Sequence, residues 1–92
     1  MEFEWDEQKN KANIQKHRVS FYEAQNAFFD DKRLIRKDEK HSESEERFFC
    51  FGKVNGMVCT VRFTVRNSRI RIFGAGYWRY GRQLYEEQND KL

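Results

Sequence analysis

At 92 residues the chain has room for one domain, and 36% of those residues are charged. Nine Phe, four Tyr and two Trp, with no Pro, supply enough apolar surface for a core, which excludes the disordered class that so much charge would suggest. The net charge of +3 hides an asymmetry: residues 1–46 hold nine basic and twelve acidic side chains, residues 47–92 nine and three, so the C-terminal half is the one suited to a polyanion.

Phe3-Glu4-Trp5 alternates and predicts a short strand ending at Asp6, a helix N-cap. The helix that follows, residues 7–17, is polar on most faces, with Ala12 and Ile14 as its anchors. Ser20-Phe21-Tyr22-Glu23 is a capping box, with Val19 and Ala24 placed to form a hydrophobic staple. Phe21, Ala24, Ala27 and Phe28 recur at helical spacing, so this second helix buries one face. Leu34 and Ile35 predict a short strand. Residues 37–46 contain no apolar side chain and predict a solvated loop.

The remainder predicts an antiparallel meander. Asn55-Gly56 is a type I′ hairpin signal, because both central residues accept positive φ, and Asn67-Ser68 is a weaker second turn. Two-residue loops at both places fix a register: Arg66 opposite Arg69, Thr64 opposite Arg71, Arg62 opposite Phe73, Lys53 opposite Val58, Phe49 opposite Arg62, and Arg47 opposite Thr64. One face then collects Phe48, Cys50, Val54, Val61, Phe63, Val65, Ile70 and Ile72. The other collects Arg47, Lys53, Arg62, Arg66, Arg69 and Arg71, interleaved with Phe49, Phe51 and Phe73. A helix over residues 78–91 closes the chain, with Trp78, Leu84 and Tyr85 on its inner side.

Six cations beside three Phe rings suit RNA, since guanidinium groups pair with phosphate and unstacked bases lie on aromatic faces. The same pattern also fits an ordinary soluble surface whose rings are covered by the last helix. Cleavage through the 2′-hydroxyl needs a proton acceptor, a proton donor and charge stabilisation, and cations can supply the last. His41 is the first acid–base candidate and His17 the second, because histidine titrates near neutrality. Arg66 and Arg47, flanking Thr64, are placed to clamp a phosphate. Tyr85 either transfers a proton or packs.

No apolar run approaches the roughly 20 residues that cross a bilayer, and the first residues lack the basic and apolar regions of a signal peptide, so the expected location is the cytoplasm. Cys50 and Cys59 suggest no disulfide, and two Cys with two His lack the paired spacing of a zinc site. No metal or cofactor is expected.

Residues 3–13, continuing through Lys16-His17 and Val19-Ser20-Phe21-Tyr22-Glu23-Ala24, resemble the opening W-D-x-x-K-x-x-x-N-x-x-K-H-x-V-x-F-x-E-A of BrnT-type toxins. That family's middle segment, His-Ser, then Glu-x-Arg, then Gly, is similar to His41-Ser42, Glu45-Glu46-Arg47 and Gly52. Val65-Arg66 ends the central strand, and Arg82 with Tyr85 matches a closing R-x-x-Y. The resemblance covers nearly the whole chain.

It implies a RelE-like α+β fold in which N-terminal helices and a C-terminal helix pack on a small twisted antiparallel sheet, all in one domain spanning 1–92. It further implies a ribonuclease that arrests translation and a BrnA-like antitoxin partner. That antitoxin carries a ribbon-helix-helix domain, covers the basic face, and provides the only route to operator DNA. On the combined reading Arg66, Arg47, His41 and Tyr85 are the catalytic candidates, and Lys53, Arg62, Arg69, Arg71, Arg79 and Arg82 the RNA-binding ones. The chain departs from the pattern at Gly74-Ala75-Gly76-Tyr77-Trp78, where many members place an arginine, and at Gly81, commonly a glutamate. Arg79 stands one turn later as a replacement. Gly76 and Gly81 favour the alternative: a catalytically weak or inactive module that binds the antitoxin and acts in operon autoregulation.

Overall fold

The computed structural model describes residues 1–90. Strand β1 (Glu2–Trp5) leads into helix α1 (Glu7–His17), and a short helix α2 (Phe21–Ala24) runs on as a 3₁₀ turn over Gln25–Phe29. Strands β2 (Leu34–Lys37), β3 (Phe48–Val54), β4 (Met57–Arg66) and β5 (Arg69–Gly76) follow, and helix α3 (Arg79–Asn89) closes the chain. The helix expected over residues 78–91 is shorter, because Trp78 is its extended N-cap and Asp90 its C-cap; residue 91 falls outside the described residues. The five strands form one sheet in the order β1-β5-β4-β3-β2. The fold is α+β as expected, and its sheet is mixed, because β1 joins β5 in parallel while every other pair is antiparallel.

Local chemistry explains most boundaries. Asp6 caps α1 by accepting hydrogen bonds from the backbone N–H groups of Gln8 and Lys9, and Arg18 ends it at a φ of 59°. Ser20 and Glu23 form the reciprocal capping box, whose hydrogen bonds to the Glu23 carboxylate hold its pKa below the ordinary value. Asn55 with Gly56, and Asn67 with Ser68, all carry positive φ, as type I′ turns demand.

The two turns set the predicted register over most of the meander: Lys53 faces Val58, Phe49 faces Arg62, Thr64 faces Arg71 and Arg66 faces Arg69. One predicted pair fails. Arg62 lies opposite Gly74 rather than Phe73, because the β4–β5 ladder slips by one residue between Arg62 and Phe63. A bulge of this kind bends a strand and re-aims side chains, and such bulges are frequent beside functional sites.

The sheet has two unequal faces. On one, Cys50, Val61, Phe63, Ile72 and Ala75 pack against Val19, Phe21, Ala24, Ala27 and Phe28 in the main core. Phe28 meets Phe63 edge-on with centroids 4.9 Å apart, and Gly52 leaves room for the Ala27 carbonyl directly above it. Val65, expected in this core, is exposed near the end of the sheet. On the other face α3 covers only part of the surface, where Leu34, Phe51, Val58 and Tyr85 form a second cluster. Phe51, expected beside the open cations, is therefore buried.

Gly81 is where α3 touches the sheet, and a Cβ there would collide with Thr60 and Phe51. Gly76 likewise leaves room for the Trp78 indole, which folds back onto it. Both departures from the family pattern thus have a packing reason.

Helix α1 is held differently from the expectation. Ala12 and Ile14 are exposed, and the buried residues are Asn10 and Asn13. Asn10 accepts a hydrogen bond from the Phe21 N–H at 2.8 Å. Asn13 donates to the carbonyls of Val19 and Ala75 at 2.9 and 3.0 Å and accepts from the Ala75 N–H at 3.2 Å. Because β1 pairs only as far as Ile72, the β5 backbone beyond it needs other partners, and the Asn13 carboxamide serves as one. This helix is anchored by amides rather than by an apolar stripe.

Candidate ribonuclease site

The segment between β2 and β3 is more ordered than the solvated loop expected from its composition. Lys37 belongs to β2, a 3₁₀ turn spans Glu39–His41, and Asp38 is buried. The Asp38 N–H donates to the Arg47 carbonyl at 2.7 Å. Ser42 Oγ donates to the Asp38 carbonyl at 2.6 Å and accepts from the Arg47 N–H at 2.9 Å, closing the segment on itself.

Two consequences follow for the chemistry. His41 Nδ1 lies 2.9 Å from the Asp38 carboxylate, an arrangement that orients the half-exposed ring and leaves Nε2 without a partner among the described residues. Arg47 and His41 then line one cavity of about 280 Å³. The His-Ser and Glu-x-Arg elements of the sequence are thus parts of one hydrogen-bonded device, in which Ser42 fixes the backbone on both sides.

Arg66 joins this device through Glu45. That carboxylate accepts from Arg66 Nε at 3.1 Å and Nη2 at 3.0 Å, and its Oε2 also lies 3.5 Å from Arg47 Nη2. The Arg66 hydrogen bonds are the main reason that the Glu45 carboxyl is held below its usual pKa. Arg47 also places its guanidinium 4.5 Å from the centroid of Phe73, a cation–π contact.

The remaining predicted residues separate. Arg69 pairs with Glu2 at 2.9 Å and Glu4 at 3.7 Å, and Arg71 pairs with Glu4 at 3.2 Å, so β1 lays a row of carboxylates beside the β5 arginines. Lys53, Arg79 and Arg82 meet at a second cavity of about 420 Å³, which Tyr77, Trp78 and Glu86 also line. Arg62 lies in neither group. It lines a third cavity, of about 280 Å³, beside α1. Tyr85 belongs to the cluster under α3, where its hydroxyl donates to Asp30 at 2.6 Å and where, of the predicted residues, Lys53 shares a cavity with it. Burial, then that hydrogen bond, push the Tyr85 pKa up to about 12.

A family profile described as "Ribonuclease toxin, BrnT, of type II toxin-antitoxin system" matches residues 5–80. The chain belongs to the BrnT family. As a BrnT-type protein it is a ribonuclease toxin of a type II toxin–antitoxin system, a class defined by a protein antitoxin. No curated protein matches the chain. No helix among the described residues is long and apolar enough to cross a membrane.

For a BrnT chain, the sequence singled out the cations and missed the groups that hold them. Asp38 lay hidden in a run of charges, where nothing distinguishes a structural carboxylate from a solvated one, and Glu45 stood in the Glu-x-Arg element without a role. Lys9 and Lys16 stood in the opening motif without an assigned role, although Lys9, Asn13 and Lys16 fall at i, i+4 and i+7 and so form one stripe of α1.

Proposed function

We propose that this chain is a metal-independent endoribonuclease cutting single-stranded RNA where the His41 segment meets the arginine face. The observation that carries the reading is the His41–Asp38 contact of 2.9 Å, with Arg47 lining the same cavity. His41 Nε2 takes the proton of the 2′-hydroxyl as that oxygen attacks the adjacent phosphorus. The bond from phosphorus to the 5′-oxygen breaks, that oxygen takes a proton from water, and a 2′,3′-cyclic phosphate remains. Asp38 fixes the tautomer and offsets the imidazolium that forms. Arg47 and Arg66 stabilise the charge gathering on the phosphoryl oxygens. Tyr85 serves by latching α3 to Asp30, and Arg82 belongs with Lys53 and Arg79 in binding the RNA strand.

The partner in this reading is a BrnA-like antitoxin with a ribbon-helix-helix domain. It silences the toxin in the cytoplasm and supplies the only contact with operator DNA. A second reading, a module that merely binds the antitoxin, draws on one observation: Arg66, Arg69 and Arg71 are already paired with carboxylates of the same chain.

Labelled RNA incubated in chelator with the wild type, His41→Ala, Arg47→Ala and Arg66→Ala separates the two. Cleavage by the wild type, reduced about 100-fold or more in His41→Ala and Arg47→Ala, supports the nuclease. Cleavage that requires added divalent metal removes the metal-independent mechanism. No cleavage under any condition, with antitoxin binding intact, leaves the module.

A further inference from the structure

The cavity beside α1 has no role in the chemistry above. Lys9, Lys16 and His17 come to it from α1, Arg62 from β4, Phe73 and Gly74 from the β5 bulge, and Trp78 from the lead into α3. Among the described residues, the side chains of Lys9, Lys16 and Arg62 make no hydrogen bond or ion pair, in contrast to Arg66, Arg69 and Arg71. Three unpaired cations converging on one cavity repel one another, and a bound anion relieves that repulsion.

The aromatic groups are placed to complement such an anion. The Trp78 indole lies on Gly76, and its edge meets His17 at a centroid distance of 5.0 Å, which fixes the ring while leaving it 37% exposed. A rigid, partly open indole beside cations is a platform for a nucleobase.

The cavity also connects its neighbours. Phe73, part of its wall, lies under the Arg47 guanidinium that borders the His41 cavity. Trp78, another part of its wall, also lines the cavity of Lys53, Arg79 and Arg82. Three basic hollows are therefore joined by two aromatic rings.

We propose that the α1 cavity is a nucleotide subsite for the RNA strand next to the cleaved bond. Lys9, Lys16 and Arg62 hold one backbone phosphate, and the adjoining base stacks on Trp78. The bulge at Arg62 and Phe73 opens the space. His17 is a positioning residue that steadies the indole. The proposal rests on the ribonuclease reading for its ligand class and not for the position of the cleavage centre.

The test uses the full chain and a short single-stranded 2′-O-methyl RNA, which lacks the attacking hydroxyl and stays intact. Binding is followed by anisotropy across a salt series, and stacking by tryptophan fluorescence. Lys16→Ala and Arg62→Ala are each expected to weaken binding about tenfold and to lower the salt slope by about one, with unchanged melting temperature. Quenching on binding is expected in the wild type and absent in Trp78→Phe, which retains Trp5.

Wild-type affinity and slope in both cation variants, or the absence of any binding by the wild type, would overturn the subsite. Cleavage of ordinary RNA by the same variants, run beside His41→Ala, separates the two ideas. If His41→Ala cuts normally while Lys16→Ala binds weakly, the cleavage centre is wrong and the subsite stands; the converse leaves the centre and removes the subsite.

Discussion

Two groups of cations on neighbouring parts of this molecule look equivalent in the sequence and differ in the fold. The β4–β5 row of Arg66, Arg69 and Arg71 is bound to Glu45, Glu2 and Glu4. The α1 corner of Lys9, Lys16 and Arg62 faces a cavity without such partners. The acidic N-terminal half thus supplies counter-ions to four arginines of the basic C-terminal half, through Glu2, Glu4 and Glu45. Net charge per half measures how the chain holds itself together as much as what it attracts, and a paired arginine must exchange its carboxylate for the phosphate before it can act on a ligand. Arg47 stands between the groups, touching Glu45 on one side and Phe73 on the other.

The comparison breaks most visibly in activity. Arg47→Ala is expected to lower RNA cleavage by about 100- to 1,000-fold, the scale seen when a preorganised donor to a developing oxyanion is removed. Arg69→Ala, whose partner is an exposed carboxylate, is expected to cost about fivefold at most. Initial rates on one labelled RNA with both variants decide the matter. Equal losses would show that Arg69, like Arg66, acts on the substrate despite its carboxylate partners.

A structural substitution sharpens the comparison next. Asn13→Ala leaves the N–H and C=O groups of Ala75 without their side-chain partner and removes what fixes α1 beside the sheet. Each unsatisfied buried group costs about 1–3 kcal/mol, so the variant is expected to lose about 2–4 kcal/mol, a fall in melting temperature of roughly 10–20 °C. Thermal unfolding followed by far-ultraviolet dichroism measures it. Ile14→Ala, at a position the apolar pattern marked as an anchor, should change the melting temperature by only a degree or two, because that side chain is exposed.

That contrast marks how far the sequence could be read. The hairpins were legible because Asn55-Gly56 and Asn67-Ser68 state their backbone conformation locally, and register then follows from counting. Parallel β1 was illegible as such, since nothing in Phe3-Glu4-Trp5 names the strand it joins. The bulge opposite Arg62 left only one faint trace, the apolar Phe73 directly after Ile72, where the Arg-Ile-Arg-Ile alternation stops. At the site, Arg47, Arg66 and His41 were visible as chemistry-bearing types at motif spacing. Their pairing with carboxylates was not, because whether Glu45, itself a motif residue, faces solvent or a guanidinium depends on where a turn at Asp38 places it.

A smaller effect tests the part of the sheet face that α3 covers, where Tyr85 is held to Asp30. Burial pulls the Asp30 carboxyl up, but hydrogen bonds from Tyr85, Lys53 and Lys32 outweigh it and keep the pKa below the ordinary range. Tyr85 is displaced the other way, to about 12, from an ordinary value near 10. A raised folded-state pKa contributes stability that is fully present below about pH 10 and is lost as pH rises through about 12. Tyr85→Phe removes both the hydrogen bond and this dependence. It is expected to cost about 1 kcal/mol at neutral pH and to flatten the decline between pH 10 and 12, as read by urea midpoints across that range. Cleavage at neutral pH should stay within about threefold of the wild type, corresponding to a loss under 1 kcal/mol, if the hydroxyl acts only as a latch.

The smallest expected effect bears most directly on the paired row. Replacing Glu2 and Glu4 together by Gln uncovers Arg69 and Arg71 without moving the backbone of β1. Exposed pairs add little to stability, so the melting temperature should change by no more than about 2 °C. If the carboxylates are what keep this row from a polyanion, the double variant should bind a non-cleavable RNA about two- to fivefold more tightly at low ionic strength. That gain should vanish above roughly 0.5 M salt, where exposed charges are screened. An unchanged affinity at low salt would mean that the row points away from the strand, and that Arg62 and the α1 lysines take the phosphate charge without it.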